Sequence, residues 1–233
     1  MTSWNKLLPE YETLIKDKSS DSEYLRNTGL KPNIVEMIGD CSSNRLLDIG
    51  CGDGWLLDTI RPREGYECDI AVPSNPKPGR NFSIENVTDL SYPQDVFDIV
   101  VAGLVLMWVE DLEQAYREIY RVTAPDGHAV IGITHPIGYR TGNITGEGFL
   151  VTNKYSEPHR ISDIYINDSV GPLVYYHRPL SVWINTAIRA GFVLEEFKEW
   201  TVDLEDYRKN VASDFKRTDR VPMFAFLKLR KPA

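Results

Sequence analysis

The sequence predicts an α/β fold with a doubly wound, Rossmann-like sheet, and three observations carry this prediction. First, an apolar run ending at Asp48 is typical of a buried parallel strand, and a glycine turn and the start of a helix at Leu56 follow it. Second, further short apolar segments of strand length follow at Tyr66–Val72, Phe82–Val87, Phe97–Gly103 and His128–Thr134. Third, a length of 233 residues suits one α/β domain with an insertion.

The turn after the first strand carries glycines at alternate positions, Gly50, Gly52 and Gly54. The dinucleotide-binding fingerprint requires another glycine at position 55, which is Trp55 here, and no Gly-Lys-Ser/Thr follows for a phosphate loop. The acids in and before the turn would repel a pyrophosphate at a helix N-terminus. Carboxylates suit a ligand with ammonium, sulfonium and ribose hydroxyl groups, and S-adenosylmethionine is such a ligand.

Residues 47–54, which read L-D-I-G-C-G-D-G, resemble the first motif of class I S-adenosylmethionine-dependent methyltransferases. The resemblance is at motif level from Leu46 to Pro136. It implies a seven-stranded sheet with six parallel strands, the last strand antiparallel, helices on both faces and, in this chain, a small β-hairpin insertion. It divides a single domain, 1–233, into an N-terminal helical lid (1–44), a cofactor-binding core (45–136), an acceptor-pocket insertion (137–178) and the C-terminal part of the sheet (179–233).

The same resemblance implies S-adenosyl-L-methionine as cofactor, with S-adenosyl-L-homocysteine as product, and places the contacts at the ends of the first four strands. The expected cofactor-binding residues are Asp48, Gly50, Cys51, Gly52, Gly54, Asp69, Ile70, Asp89, Leu90, Ala102 and Gly103.

Two acids have specific expected roles in this set. Asp69 lies 21 positions after Asp48, and an acid at about that distance can accept both ribose hydroxyls; the alternative is a solvated acid at a strand end. Three prolines follow it at 73, 76 and 78, so a loop replaces the usual second helix. Asp89 stands where the resembled family accepts from the adenine amino group, and Leu90 would offer its N–H to the ring; the alternative is a simple turn.

His135 is the candidate catalytic residue. It ends the fifth strand, on the side of the sheet that bears the ligand, and a histidine can remove a proton from an acceptor hydroxyl or ammonium. The alternative is a histidine that bonds loop backbone. No paired-carboxylate, Cys/His or Ser/His/Asp arrangement offers a stronger candidate, and no metal site is expected.

The segment from Gly138 to Arg178 is rich in tyrosine and glycine, and a hairpin around Asn167 is predicted within it. An insertion at this strand exit would lie above the cofactor, so its aromatic residues indicate an acceptor pocket; a dimer interface is the alternative. The candidate substrate-binding residues are Tyr11, Leu104, Tyr139, Tyr165, Tyr175 and Tyr176.

Composition limits the remaining possibilities. The net charge of −8 argues against nucleic acid as a partner. Three cysteines without metal-ligand spacing fit a reducing compartment, and neither a signal peptide nor a membrane-length apolar run is visible, so a cytoplasmic protein is expected, with a homodimer possible.

The predicted function is methyl transfer from S-adenosylmethionine to an O or N atom of a small, aromatic or apolar metabolite. The amino-methylating N-P-P-Y signature of the family is absent after the fourth strand, where residues 102–105 read A-G-L-V, and this argues against a nucleic-acid base or glutamine acceptor. The alternatives are a protein-modifying methyltransferase, a non-catalytic binder of S-adenosylmethionine and, disfavoured by Trp55, an NAD-dependent oxidoreductase.

Overall fold

A computed structural model describes residues 4–17, 20–137, 142–145, 148–151, 154–164, 171–211 and 221–233, with the backbone alone at 142–145 and 148–151. Its strands are β1 (Arg45–Ile49), β2 (Glu64–Asp69), β3 (Asn81–Ile84), β4 (Phe97–Gly103), β5 (Thr123–Thr134), β6 (Gly142–Thr145), β7 (Gly148–Val151), β8 (His159–Ile164), β9 (Leu173–His177), β10 (Val193–Trp200) and β11 (Phe224–Arg230). Its helices are α1 (Trp4–Leu14), α2 (Asp21–Leu25), α3 (Lys31–Ile38), α4 (Trp55–Thr59), α5 (Leu112–Val122), α6 (Leu180–Arg189) and α7 (Leu204–Asn210).

Seven strands form one sheet in the order β10-β11-β5-β4-β1-β2-β3. The strands from β3 to β5 pair in parallel, and β11 runs antiparallel to both β5 and β10. This arrangement confirms the predicted sheet, including the reversed last strand. The central strands β1 and β4 are almost wholly buried because helices cover both faces, as their continuous apolar sequences require.

Alternate residues of each strand divide the core between the two faces. Leu47 packs on one face with the buried side chains of α5 and α6, such as Tyr116 and Trp183. Leu46 packs on the other face with α3 and α7, represented by Ile34 and Tyr207. Successive side chains of a strand point to opposite faces, so this division follows from the period of two.

Several element boundaries differ from the sequence-based expectation. β2 ends at Asp69 rather than Val72, and β3 ends at Ile84 rather than Val87. The predicted loop replaces a helix over residues 70–80, as the three prolines require. β5 begins at Thr123, before the predicted turn at 125–127, but its pairing with β4 skips from Thr123 to His128 and Asp126 has a φ of 58°, so a local turn is present within the strand.

The insertion contains two small antiparallel pairs, β6 with β7 and β8 with β9. Ile164 pairs with Leu173, which is the pairing expected for the predicted hairpin. The turn around Asn167, and the candidate residues Tyr139 and Tyr165, lie outside the described residues.

Candidate cofactor and acceptor site

The glycine turn is built from backbone conformations that favour glycine. Gly50, Gly52 and Gly54 have φ values of 68°, 53° and 71°. The N–H groups of Gly50 and Cys51 donate to the carbonyl of Cys68, at 2.7 and 3.1 Å, which ties the turn to β2. A Cβ on Gly52 would meet no atom within 4 Å, so the turn presents open backbone at that position, as a closely approaching ligand requires.

Asp69 lies at the end of β2 and is hydrogen-bonded to this turn. Its Oδ2 accepts the N–H of Gly52 at 3.0 Å, and its Oδ1 accepts the N–H of Ala71 at 3.1 Å. Burial raises the pKa of the carboxyl, and these backbone donors oppose the rise. The next residue, Ile70, is 52% exposed and offers an apolar surface beside the acid. The structure therefore brings together the glycine turn, a carboxylate and an uncovered apolar side chain.

Asp48 is buried beneath the turn, with 4% of its surface exposed, and its Oδ2 has no hydrogen-bond partner among the described residues. Burial raises the pKa of Asp48 well above its usual range, the nearby acids Glu67, Asp69 and Asp53 raise it further, and Arg26 opposes them. A buried polar group without a partner is costly in a folded protein. A ligand ammonium beside Asp48 would remove that cost.

The N-terminal helices lie against the same edge of the sheet. Asn5 Oδ1 accepts the N–H of Val72 at 3.1 Å, and Glu12 Oε1 accepts the N–H of Ser74 at 3.0 Å, so α1 holds the loop that follows Asp69. These contacts place α1 where a lid would lie, and the lid itself stays a prediction.

The adenine side requires a correction. The N–H of Leu90 donates to Glu118 Oε2 at 2.9 Å, so it is not available to an adenine ring as expected. Arg121 bonds the same carboxylate and donates to the carbonyl of Leu90 at 2.8 Å, which fixes this turn to α5. Asp89 is exposed in the turn.

At the end of β4, Ala102 and Gly103 were expected to contact the cofactor, and packing within the protein gives a different reason for their small size. Ala102 is fully buried, and a Cβ on Gly103 would lie 3.0 Å from Ile34 Cδ1 of α3, so this glycine accommodates a helix. Leu104 follows with a φ of 60°, which is rare for a non-glycine residue and is often found near functional sites. Its carbonyl accepts the indole N–H of Trp108 at 3.1 Å.

His135 uses both ring nitrogens within the protein. Its Nδ1 accepts the N–H of Ile137 at 3.2 Å, and its Nε2 lies 2.7 Å from Glu199 Oε1 of β10. The side chain is buried, and burial lowers its pKa while Glu199 opposes the change. A general base would have to give up one of these partners, so the geometry supports the alternative of a histidine that bonds loop backbone.

A chain of aromatic rings lies where the acceptor pocket was expected. Trp4 of α1 contacts Tyr11 and Trp108 with ring centroids 6.4 and 5.8 Å apart, and Trp108 contacts Tyr175 at 5.8 Å. Tyr175 is buried and lies 3.2 Å from Thr134, hydroxyl to hydroxyl. The two tryptophans were missed because they lie outside the tyrosine-rich insertion.

Tyr175 and Tyr176 are successive residues of β9 and point to opposite faces, so they cannot line one pocket together as expected. Tyr176 donates to Glu110 Oε2 at 3.2 Å on the other face. Only Tyr175 belongs with the aromatic chain near the sheet edge.

Three features fit the methionine end and the ribose of S-adenosylmethionine: the Oδ2 of Asp48, which has no partner in the described part of the chain, the open backbone at Gly52 and the strand-end carboxylate of Asp69. The sheet order and the site define the class I S-adenosylmethionine-dependent methyltransferase fold, whose cofactor is S-adenosylmethionine. A family model described as a methyltransferase domain matches residues 47–131 of the chain.

Individual proteins of more than one named activity also match parts of the chain. The chain is 34% identical over 104 residues to malonyl-[acyl-carrier protein] O-methyltransferase of Halorhodospira halophila, covering 40% of this chain and 35% of that protein. It is 36% identical over 90 residues to the mitochondrial arginine-hydroxylase NDUFAF5 of Mus musculus, covering 35% and 26%. A crystal structure of an S-adenosylmethionine-dependent methyltransferase from Mesorhizobium loti has the same fold, with a TM-score of 0.71, 24% identity, and coverage of 86% and 96%.

The matched segments span about a third or less of the length of these two curated relatives. Within the described ranges, no helix is long and apolar enough to cross a membrane. Among the same residues, no group of three or more His, Cys, Asp or Glu side chains is placed to hold a metal ion.

Proposed function

We propose that this protein transfers a methyl group from S-adenosylmethionine to an O or N atom of a small, aromatic or apolar molecule. The observation that carries the proposal is the buried carboxylate of Asp48, whose Oδ2 has no partner among the described residues, beneath an open glycine turn, with Asp69 at the neighbouring strand end. The cofactor supplies a methyl group already activated on a sulfonium.

The residues of the chain then bind and orient. Asp48 in its ionised form accepts from the ammonium of the methionine end, and Asp69, fixed by the N–H groups of Gly52 and Ala71, accepts from the ribose hydroxyls. Ile70 packs against the adenine. Holding the two reactants in line and excluding water can contribute roughly 7–11 kcal/mol. This is enough to make a strong acid–base arrangement unnecessary.

The nature of the acceptor follows from the aromatic chain. Trp4, Tyr11 and Trp108 are each only partly buried; the first two lie on the lid-like helix α1, and Trp108 follows the end of β4. Partly exposed aromatic rings beside a cofactor site suit an apolar or ring-shaped acceptor. The relative from Halorhodospira halophila is named for an acyl-carrier-protein substrate, so an acyl group on a carrier protein is the main alternative acceptor.

The test has two stages. S-adenosylhomocysteine should bind the purified protein with a micromolar Kd, roughly −8 kcal/mol, and NAD should not raise the melting temperature. Isotope-labelled S-adenosylmethionine should then label small-molecule fractions of an extract and not its protein fraction. Absence of S-adenosylhomocysteine binding by well-folded protein would overturn the proposal, and label confined to protein would exclude the small-molecule acceptor.

A further inference from the structure

A cationic cluster from the N-terminal segment covers the outer side of the glycine turn. Arg26 begins a π-helical turn, Arg26–Leu30, that connects α2 to α3, and its side chain is nine-tenths buried. Its guanidinium forms a two-point ion pair with Asp53 in the glycine turn, through Nη1 at 3.1 Å and through Nη2. Lys31 lies close by, since both cations lie over the ring of Trp55, at 5.9 and 5.6 Å from its centroid.

The ion pair with Asp53 does not use all of the donors of Arg26. A guanidinium has five N–H groups, and the only hydrogen bonds of this side chain found among the described residues are the two to Asp53. A deeply buried guanidinium with spare donors is suited to a second planar, two-oxygen acceptor.

The charges around the turn are also uneven. On its outer side, the cations Arg26 and Lys31 lie near two carboxylates: Asp53, which bonds Arg26, and Glu23, whose charge acts on Lys31. On its inner side, Asp48 and Asp69 are acidic. The charge of Arg26 acts on both sides, because it lowers the pKa of Asp48 and of Tyr11 against the larger effect of burial.

This separation of charge matches the two charged groups of an amino acid. Resting on the proposed function, we propose that Arg26 binds the α-carboxylate of the cofactor's methionine end, while Asp53 holds the guanidinium over the glycine turn. Lys31 strengthens the field at the same place. The ammonium of the same methionine end then lies toward Asp48, so the N-terminal segment completes the cofactor site.

A competing explanation is that Arg26 only latches the N-terminal segment to the turn through Asp53. The two explanations differ for a ligand that lacks the amino-acid end. Calorimetric titrations with S-adenosylhomocysteine and with 5′-methylthioadenosine therefore separate them, using the full chain and its Arg26→Gln, Arg26→Lys and Asp53→Asn variants. Arg45→Gln is the matched control, because Arg45 also pairs with one acid, Glu64, but at the amino end of β1.

We expect Arg26→Gln to weaken S-adenosylhomocysteine binding by about 10- to 100-fold and to leave 5′-methylthioadenosine within about twofold. Arg26→Lys, which keeps the charge and loses the two-point geometry, should give a smaller loss for S-adenosylhomocysteine only. Asp53→Asn, which keeps the guanidinium but removes its charged partner, should weaken S-adenosylhomocysteine binding less than Arg26→Gln does and should leave 5′-methylthioadenosine within about twofold. Arg45→Gln should change neither ligand.

Equal losses for both ligands in Arg26→Gln, or a loss in Asp53→Asn as large as in Arg26→Gln, would show a latch and overturn the inference. Unchanged S-adenosylhomocysteine binding in Arg26→Gln would overturn it as well. If Arg26→Gln does not fold, Arg26→Lys and Asp53→Asn still separate the two explanations, because a latch would change the binding of both ligands equally. Failure of the unaltered protein to bind either ligand would instead remove the proposed function on which the inference rests.

Discussion

The Asp48→Asn substitution distinguishes the effect of Asp48 on folding stability from its effect on ligand affinity. The substitution keeps the shape of the side chain and removes its ionisation. In the free protein, burial raises the pKa of Asp48 well above its usual range, so the folded state binds a proton that the unfolded state has already released.

The sign and size of the effect follow from this difference in bound protons. Below about pH 4, near the usual pKa of an aspartate, the carboxyl is protonated in both states and costs nothing. As the pH rises from there to the pKa of the folded state, the free energy of unfolding of the natural protein should fall by about 1.4 kcal/mol per pH unit relative to Asp48→Asn. Comparison with the variant is required because burial also raises the pKa of Glu67 and Asp69, and those groups are present in both proteins.

The affinity for S-adenosylhomocysteine should change with pH in the opposite direction to the stability. An ammonium beside Asp48 favours its ionised form, so binding releases the proton, and the affinity of the natural protein for S-adenosylhomocysteine should rise by up to about tenfold per pH unit over the same range. Asp48→Asn should bind more weakly and should lack this dependence.

Urea unfolding and calorimetric titration at a series of pH values measure the two effects. Asp126→Asn is the control, because Asp126 is an exposed acid in a left-handed conformation that asparagine tolerates. Parallel stability curves for the natural protein and Asp48→Asn would refute the reasoning, because they would show that folding does not keep Asp48 protonated.

Two further predictions concern the turn and the histidine. Gly50→Ala should lower the free energy of unfolding by about 2–5 kcal/mol, measured in urea, because its Cβ would lie 2.2 Å from Val105 Cγ2 and the residue would also be strained at positive φ. Gly52→Ala should lower it by only about 1–2 kcal/mol, from backbone strain alone, but should weaken S-adenosylhomocysteine binding. Equal stabilities of the two variants would contradict this difference. His135→Ala should lower turnover by less than tenfold at every pH, because both ring nitrogens already have partners; a loss of about 10²–10⁴ with a flattened acid limb would make His135 the general base.

The sheet was predictable from the sequence because each strand carries a local signal. Phe97–Gly103 has the predicted bounds, since a mostly apolar and largely buried run is flanked on both sides by residues with positive φ, Asp95 and Leu104. By contrast, α2 and α7 were not predicted. They are five and seven residues long and bury two and one side chains, too few to produce a helical periodicity.

Contacts between distant segments stabilise these short helices. Tyr24 of α2 donates to Asp206 Oδ2 at 2.7 Å, and Tyr207 of α7 donates to Asp21 Oδ1 at 2.7 Å, with the two tyrosine rings 5.2 Å apart. The partners are more than 180 residues apart in the chain, so no local pattern in the sequence could have indicated the pair.

The site shows the same division between local and distant information. The grouping of Asp48 and Asp69 was predictable because the carboxyl ends of parallel strands meet at one edge of a sheet. The hydrogen bond from the Leu90 N–H to Glu118 could not be predicted, because it depends on how α5 packs against this turn. The alternation on β9 was available from the sequence and should have separated Tyr175 from Tyr176.

The acids and the cations of the site come from different parts of the fold. Asp48 and Glu67 lie on the strands β1 and β2, where burial raises the pKa of each. The cations arrive on connecting segments: Arg26 on the π-helical turn, and Arg80 on the loop before β3, where it lies 3.0 Å from Glu67. The sheet therefore fixes a concentration of negative charge that is unfavourable by itself, and docking of the N-terminal segment and the loop relieves part of it. A ligand that brings an ammonium to Asp48 relieves more, so cofactor binding and the docking of these segments should stabilise each other.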